Sequence, residues 1–458
     1  MHLGRGGGRS RASWRSRALH SSGSAWNRGR SHASKAPVVE SPLGPLVAQV
    51  TVDNASNYSV SAEDAKISDC RYAASYSLID PRPSQKIIIP GQPATWKPPQ
   101  LPAQLQGDHG EYLRDQNGAH FPDYPMQPSV QSLFALDKRF DPSSVDIMGC
   151  ASSLGDILRF TRSIASTFRF DVEMVGNTLF LVRNHRGEVI PDVRGYGHSF
   201  LDAFTTHEDN GAETKSHQRI VSYSFGGLKC LVRFECDGYF EGCEGDFATM
   251  AKRLESLNIL YPPNSGSINV KAAGMTVSQD SILEIKTKSA AGEPLAMSDH
   301  LPRLWVRQIP NFVTAYHARG NFEDVQKKSV KQDVLNWETE HESELQKFAS
   351  ILRQLIVEVK RASHLKLELR RSGLGPLELR EQGGRLREVL PAHWKNMWAE
   401  QQHQGEAHLS DEDDSEGCPS LSSQDDESAE SDGAAADDDF AFDYTACSPS
   451  CGYCGHCA

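Results

Sequence analysis

No run of about 18 apolar residues occurs anywhere in this 458-residue chain, so nothing in it reads as a transmembrane helix. The N-terminus also lacks the continuous apolar stretch of a secretory signal. The ten cysteines lack the spacing of a disulfide framework: Cys70, Cys150, Cys230, Cys236, Cys243 and Cys418 are scattered, and the other four crowd into the last twelve residues. These absences lead us to expect a reducing, intracellular setting, nucleus or cytoplasm, with no membrane contact. Charge of one sign is missing at each end. Residues 1–38 carry seven Arg and one Lys but no acid, whereas residues 396–458 carry no Lys or Arg, so the net charge of −12 describes neither half. An Asp-Asp-x-x-Asp motif is absent throughout. That excludes prenyl diphosphate synthesis, which needs such motifs on facing helices to hold magnesium diphosphate.

What is present divides into four segments. Residues 1–60 read as a disordered basic arm rich in Arg, Gly and Ser, suited to nucleic-acid phosphates. A mitochondrial presequence is also Arg- and Ser-rich, but Gly4, Gly6, Gly7 and Gly8 oppose the amphipathic helix it needs. Residues 65–400 have the texture of one large α+β domain. Residues 401–446 form an acidic tail, with fourteen Asp and Glu in 411–443, that cannot bury enough surface to fold alone and suits a basic partner. Residues 447–458 are a Cys-rich end. There Cys447, Cys451, Cys454 and Cys457 have two- and three-residue spacings that can wrap Zn²⁺, although so tight a cluster also fits a softer metal or a metal-free tail.

Within the middle segment, Lys86–Gly91 reads as a buried strand closed by a turn, and the prolines between Pro98 and Pro128 as an extended strap. Ser129–Leu136 has one or two helical turns. Ser153 is placed to cap a helix through Leu154, Ile157, Leu158 and Phe160. Phe168–Val175 and Leu179–Val182 alternate around Gly176-Asn177 as a hairpin, and a helix runs from Gly195 through Phe204. Phe247–Leu260 has a helical pattern, Trp337–Leu367 is the clearest helix of the chain, and Leu386–Trp398 is a short closing helix.

Two short strands carry the chemistry. In Leu231–Asp237, Val232, Phe234 and Cys236 share an apolar face, while Arg233, Glu235 and Asp237 point the other way. In Ile282–Thr287, Leu283 and Ile285 face a core and Glu284 and Lys286 lie opposite. If the two strands pair, three carboxylates and a lysine meet on one patch. Such a patch suits one or two divalent cations with oxygen ligands, or else a solvated face of cross-strand ion pairs.

The order of these segments resembles the DXO/Rai family of RNA decapping and 5′-end quality-control nucleases, which carry a PD-(D/E)XK-like core. The resemblance spans about residues 140–335. It rests on Val145-Asp146-Ile147, on Val175 to Phe180 and on Gly195 to Phe200. It continues through Phe234-Glu235-Cys236-Asp237, Leu283-Glu284-Ile285-Lys286-Thr287, and Leu304 to Gln308 with Val313 to Tyr316. It implies a single large domain around a mostly antiparallel or mixed sheet flanked by helices. It also implies that Glu235, Asp237, Glu284 and the Ile285 main-chain carbonyl hold Mg²⁺ or Mn²⁺. Lys286 would then orient water or meet the scissile phosphate, and Gln308 would contact metal-bound water or substrate. The implied reaction is hydrolysis of a phosphodiester or pyrophosphate at an RNA 5′ end, and the implied protein partner is an exoribonuclease.

The chain departs from the family's pattern in two places. Where the family has an Arg to grip phosphate, the sequence reads Gly149-Cys150-Ala151-Ser152 with Ala151 in closest register. In the Gly-x-x-x-Glu helix motif Leu201 holds the acidic position and Asp202 follows one place late, turned by about 100° on a helix. Two functions follow: a metal-dependent RNA 5′-end hydrolase, or a nuclease-fold protein that has lost turnover and binds RNA or protein.

Overall fold

Between Phe168 and Arg183 the chain doubles back through Gly176, whose φ of +58° suits the turn, into paired antiparallel strands Phe168–Val175 and Thr178–Arg183. Side chains alternate across this hairpin as expected. Leu179 and Leu181 join one apolar cluster, whereas Phe180 and Val182 join another on the opposite face. In the computed structural model, which describes residues 42–79, 86–183, 189–190, 193–207, 214–242, 268–384 and 386–409, the hairpin lies inside a large mixed sheet. The strand Ile147–Cys150 runs parallel both to Thr178–Arg183 and to Leu228–Cys236. Beyond it, Thr214–Phe225 joins Leu228–Cys236 to Ser68–Ile79, both antiparallel. Among the described residues this sheet has eleven strands; a second has seven, and two strands form a separate pair. The α+β class and mixed pairing agree with the sequence reading, but one central sheet is replaced by two.

Helices Ala151–Thr161, Leu301–Arg307 and Glu342–Arg361 cover one face of the larger sheet. Trp305, Trp337, Phe225 and Phe348 fill the space between. On the other face, helix Gln127–Leu136 and the C-terminal Trp394 and Trp398 pack on Phe180 and Leu231. A smaller core of Trp96, Phe200, Leu283, Ile285, Val313 and Phe322 lies on the second sheet. Among the described residues no helix is long and apolar enough to cross a membrane.

Three expected boundaries move. The long helix expected over Trp337–Leu367 is two helices, Lys331–Glu340 and Glu342–Arg361, separated at His341. Its apolar stripe stops at Val359, and Lys366–Arg371 is already a strand of the larger sheet. Ser153 does not cap a helix: the N-cap is Cys150 and Ala151 is the first helical residue. The closing helix begins at Ala392 rather than Leu386. Two segment limits move as well: within the disordered arm expected over residues 1–60, Leu46–Val50 is a strand at the edge of the larger sheet and Asn54–Tyr58 a 3-10 helix, and helix Ala392–Leu409 runs into the acidic tail expected over residues 401–446. The expected helix 247–260, residues 1–41, residues 410–446 and the four C-terminal cysteines lie outside the described residues.

Candidate active site

The two chemistry-bearing strands meet without pairing. Leu228–Cys236 has both edges occupied in the larger sheet, by Ile147–Cys150 and Thr214–Phe225, so it cannot also pair with Ile282–Ser289. The chain crosses between sheets at Asp237 instead. The next two residues, Gly238 and Tyr239, pair antiparallel with Leu283 and Ile282. A Cβ on Gly238 would lie 2.8 Å from the Ala94 carbonyl oxygen, so only glycine allows this crossing. Asp237 fastens it by accepting the Ile285 N–H at 2.8 Å. The direct pairing that the sequence left open does not form; the strands meet at a crossing fastened by one aspartate.

A cavity of about 290 Å³ opens beside the crossing, and Asp202, Glu235, Asp237, Ile285 and Lys286 all line it. Asp202 is exposed, on helix Gly197–Phe204. That short helix is anchored from below by Asp108, which accepts the His198 N–H at 3.0 Å, the Ser199 N–H at 2.8 Å and the Ser199 hydroxyl at 2.6 Å. Burial pushes the Asp108 carboxyl up, but these donors outweigh it and hold its pKa at about 2. His198 stacks on Tyr112 with ring centroids 3.5 Å apart, and both rings line the cavity. On the far wall His217 is 1 % exposed; its Nδ1 lies 3.0 Å from the Ser77 hydroxyl. Burial and the nearby Arg219 push its pKa well below the usual value, so the ring is neutral. Burial raises Asp237 and lowers Lys286, and the lysine's neighbour Arg303 lowers it further.

Glu284 departs from the expected arrangement. It does not line the cavity; it is 1 % exposed and enclosed by cations. Its Oε1 pairs with Arg303, and with the Lys286 Nζ at 3.5 Å, while its Oε2 lies 3.4 Å from Arg307. His300 accepts a hydrogen bond from Arg303 at 2.9 Å and completes the cluster. Burial alone would raise the Glu284 carboxyl, yet Arg303, Lys286 and Arg307 together hold it at about 2. The two arginines are four apart on helix Leu301–Arg307, the spacing that puts both on one helical face. A divalent cation held by Glu284 does not fit here, because fixed guanidinium charge already occupies the carboxylate. Among the described residues no group of three or more His, Cys, Asp or Glu side chains is placed to hold a metal ion.

Gln308 also faces elsewhere. It ends helix Leu301–Arg307 in the left-handed region at φ 53°, and its Nε2 donates to the Trp305 carbonyl at 2.7 Å. Neither cavity described here includes it among its walls. Ala151 lines a second, smaller cavity together with Ser152, Arg233 and Arg307. Sequence reasoning missed Arg303, Arg307, Asp108 and His217. The i, i+4 arginines were legible as a charged face of a short helix beside Trp305; His217 sits in an alternating strand, where nothing in its neighbours marks it.

The chain belongs to the sequence family described as "Domain of unknown function (DUF8563)", which matches residues 48–366. No curated protein matches. Among solved structures it is similar to Scheffersomyces stipitis Rai1 in complex with (3′-NADP)⁺ and calcium ion, at 11% identity, covering 78% of this chain and 99% of that one with a TM-score of 0.49. It is similar at 9% identity to Candida albicans Rai1 in complex with pU5-Mn²⁺, covering 78% of this chain and 100% of that one with a TM-score of 0.49. K. lactis Dxo1 in complex with manganese is similar at 10% identity, covering 76% and 97% with a TM-score of 0.42. Likeness at this level carries no argument about activity, so the functional reading rests on this chain's own side chains.

Proposed function

We propose that this chain binds the 5′ end of RNA in the cavity at the Asp237 crossing, as a nuclease-fold module in which arginine charge stands in place of a divalent cation. One observation carries this reading: of the cations gathered around Glu284, Lys286 lines this cavity and Arg307 lines the smaller one. A metal centre supplies positive charge that draws phosphate and neutralises it. Here protein cations supply that charge without a metal, which supports phosphate binding more than turnover. The aromatic stack of Tyr112 on His198 at the cavity wall suits a nucleobase, since bases stack on such rings whatever their sequence.

Binding of short labelled RNA by fluorescence anisotropy, with EDTA or with Mn²⁺, tests the proposal. The expected result is the same affinity in both and no cleavage; no binding in either would overturn it. A second reading, hydrolysis of the RNA 5′ end, is favoured by Asp202, Glu235, Asp237 and Lys286 lining one cavity. Burial raises the Asp237 pKa, which suits a carboxylate for moving a proton. Release of product from capped, NAD-capped or 5′-triphosphate RNA with Mn²⁺ or Mg²⁺, lost in Asp237→Asn, would establish that reading. We further propose a nuclear or cytoplasmic location, an exoribonuclease or other basic protein as partner, and Zn²⁺ at Cys447, Cys451, Cys454 and Cys457. Metal content before and after removal of residues 447–458 checks the last.

A further inference from the structure

One short segment supplies three residues to the wall of the larger cavity: Tyr112, Arg114 and Gln116. Its backbone is anchored on both sides of Gln116. Tyr112 and Leu113 pair antiparallel with Ile190 and Val189, and Asp115 accepts the Gly118 N–H at 2.9 Å to start the short helix Gln116–His120. The next residue, Asn117, is fully buried; it accepts the Tyr76 hydroxyl at 2.6 Å and donates to the Pro125 carbonyl at 2.8 Å. Gln116 is therefore fixed by its neighbours, while the residue itself is only half-buried. Its main-chain carbonyl lies 2.8 Å from the His120 Nδ1. Among the described residues, its side-chain amide has no partner within the protein.

Two features of the same cavity say what such an amide could meet. The rings of Tyr112 and His198 stack with planes 15° apart, and a nucleobase would extend that stack. Asp202 follows His198 by four residues on helix Gly197–Phe204, so its exposed carboxylate belongs to the same helical face and lines the same cavity. A primary amide offers one acceptor and two donors, and it pairs bidentately with adenine through the N6 amine and a ring nitrogen. Guanine and uracil present O6 and O4 in place of that amine, and a carboxylate repels both. Cytosine keeps an amine but covers less of an aromatic stack than a purine does. Arg114, whose guanidinium would favour guanine, interacts within the protein instead.

We infer that this wall of the larger cavity is a base-reading subsite in which Gln116 selects adenine as the first base of the RNA held there. The inference rests on the RNA reading above for its ligand and adds the base that the site prefers. Tyr112 and His198 serve every base alike, because every base has a face to stack. Gln116 distinguishes among them through the base edge. It lies before residue 140, outside the stretch that carries the family resemblance, so the resemblance assigns it no role.

The test uses four 5′-phosphorylated oligoribonucleotides that differ only in their first base, with full-length wild type, Gln116→Leu and Gln116→Glu, read by fluorescence anisotropy. Wild type is expected to bind the oligonucleotide beginning with adenine about tenfold more tightly than the others, the discrimination that one bidentate amide–base pair supplies. Gln116→Leu is expected to bring adenine down to the level of the other three. Gln116→Glu is expected to move the preference to cytosine, whose N4 amine a carboxylate accepts. This variant puts an acid in the first turn of helix Gln116–His120, where it suits the helix, so it folds even if Gln116→Leu does not. Equal binding of all four by wild type overturns the subsite and leaves the RNA reading intact, whereas binding of none overturns both. An adenine preference that survives in Gln116→Leu, or unshifted in Gln116→Glu, overturns the assignment to Gln116.

Discussion

Replacing Glu284 by Gln separates a structural ion cluster from a metal ligand. The substitution preserves volume and removes one charge from a carboxylate that is 1 % exposed. Arg303, Arg307 and Lys286 then share a buried space without their counter-charge. Breaking a buried ion pair from one side costs about 3–5 kcal/mol. The depressed acidity of the carboxyl implies a similar figure: Arg303, Lys286 and Arg307 outweigh its burial and hold its pKa at about 2 against an ordinary 4.5. That difference corresponds to about 3 kcal/mol of stability at neutral pH. At about 2 °C per kcal/mol for a large domain, the melting temperature should fall by about 6–10 °C. Differential scanning fluorimetry of wild type and Glu284→Gln, each with EDTA and with Mn²⁺, reads this out. The drop should be the same in both buffers. A metal ligand behaves oppositely: removing it relieves repulsion among carboxylates, so the variant would be as stable as wild type in EDTA and would lose stabilisation by Mn²⁺. That pattern would refute the reasoning.

Acid should loosen the same cluster in two stages. Burial and Arg303 depress the His300 pKa to about 3 from 6.5, so stability begins to fall as pH drops below 6.5, where the unfolded chain takes up the proton first. The lowered Glu284 pKa adds stability that is complete above pH 4.5 and is lost as pH falls toward about 2. Urea midpoints from pH 7 to pH 4.5 check the first stage, and His300→Gln should reduce it, leaving the part that the buried, neutral His217 contributes. Asp108→Asn weakens three hydrogen bonds that hold helix Gly197–Phe204 under the cavity. We expect about 2 kcal/mol lower stability and weaker RNA binding, measured by chemical denaturation and anisotropy.

The faces of individual strands were legible in the sequence, because a period of two separates Val232, Phe234 and Cys236 from Arg233 and Glu235 whatever the strand's neighbours. The turn at Gly176-Asn177 was legible for a similar reason: its glycine takes a positive φ within the local chain. Strand partners were not. Leu231–Asp237 and Ile282–Thr287 have complementary charge, but pairing depends on which edges remain open after Ile147–Cys150 and Thr214–Phe225 have docked. Those contacts join residues up to about eighty positions apart, which no local pattern records. Glu284 illustrates the same limit for chemistry. A Glu-x-Lys-Thr segment reads as a metal ligand until Arg303 and Arg307, about twenty residues on, are folded against it.

Binding of an RNA 5′ end in this cavity, as we propose it, uses protein cations and not a divalent metal. Isothermal titration calorimetry with a 5′-phosphorylated oligoribonucleotide, in EDTA and again in Mn²⁺, tests it most directly. We expect one site per chain with the same affinity in both buffers and intact RNA recovered from each cell. Binding that appears only with Mn²⁺, or RNA recovered as product, would contradict it.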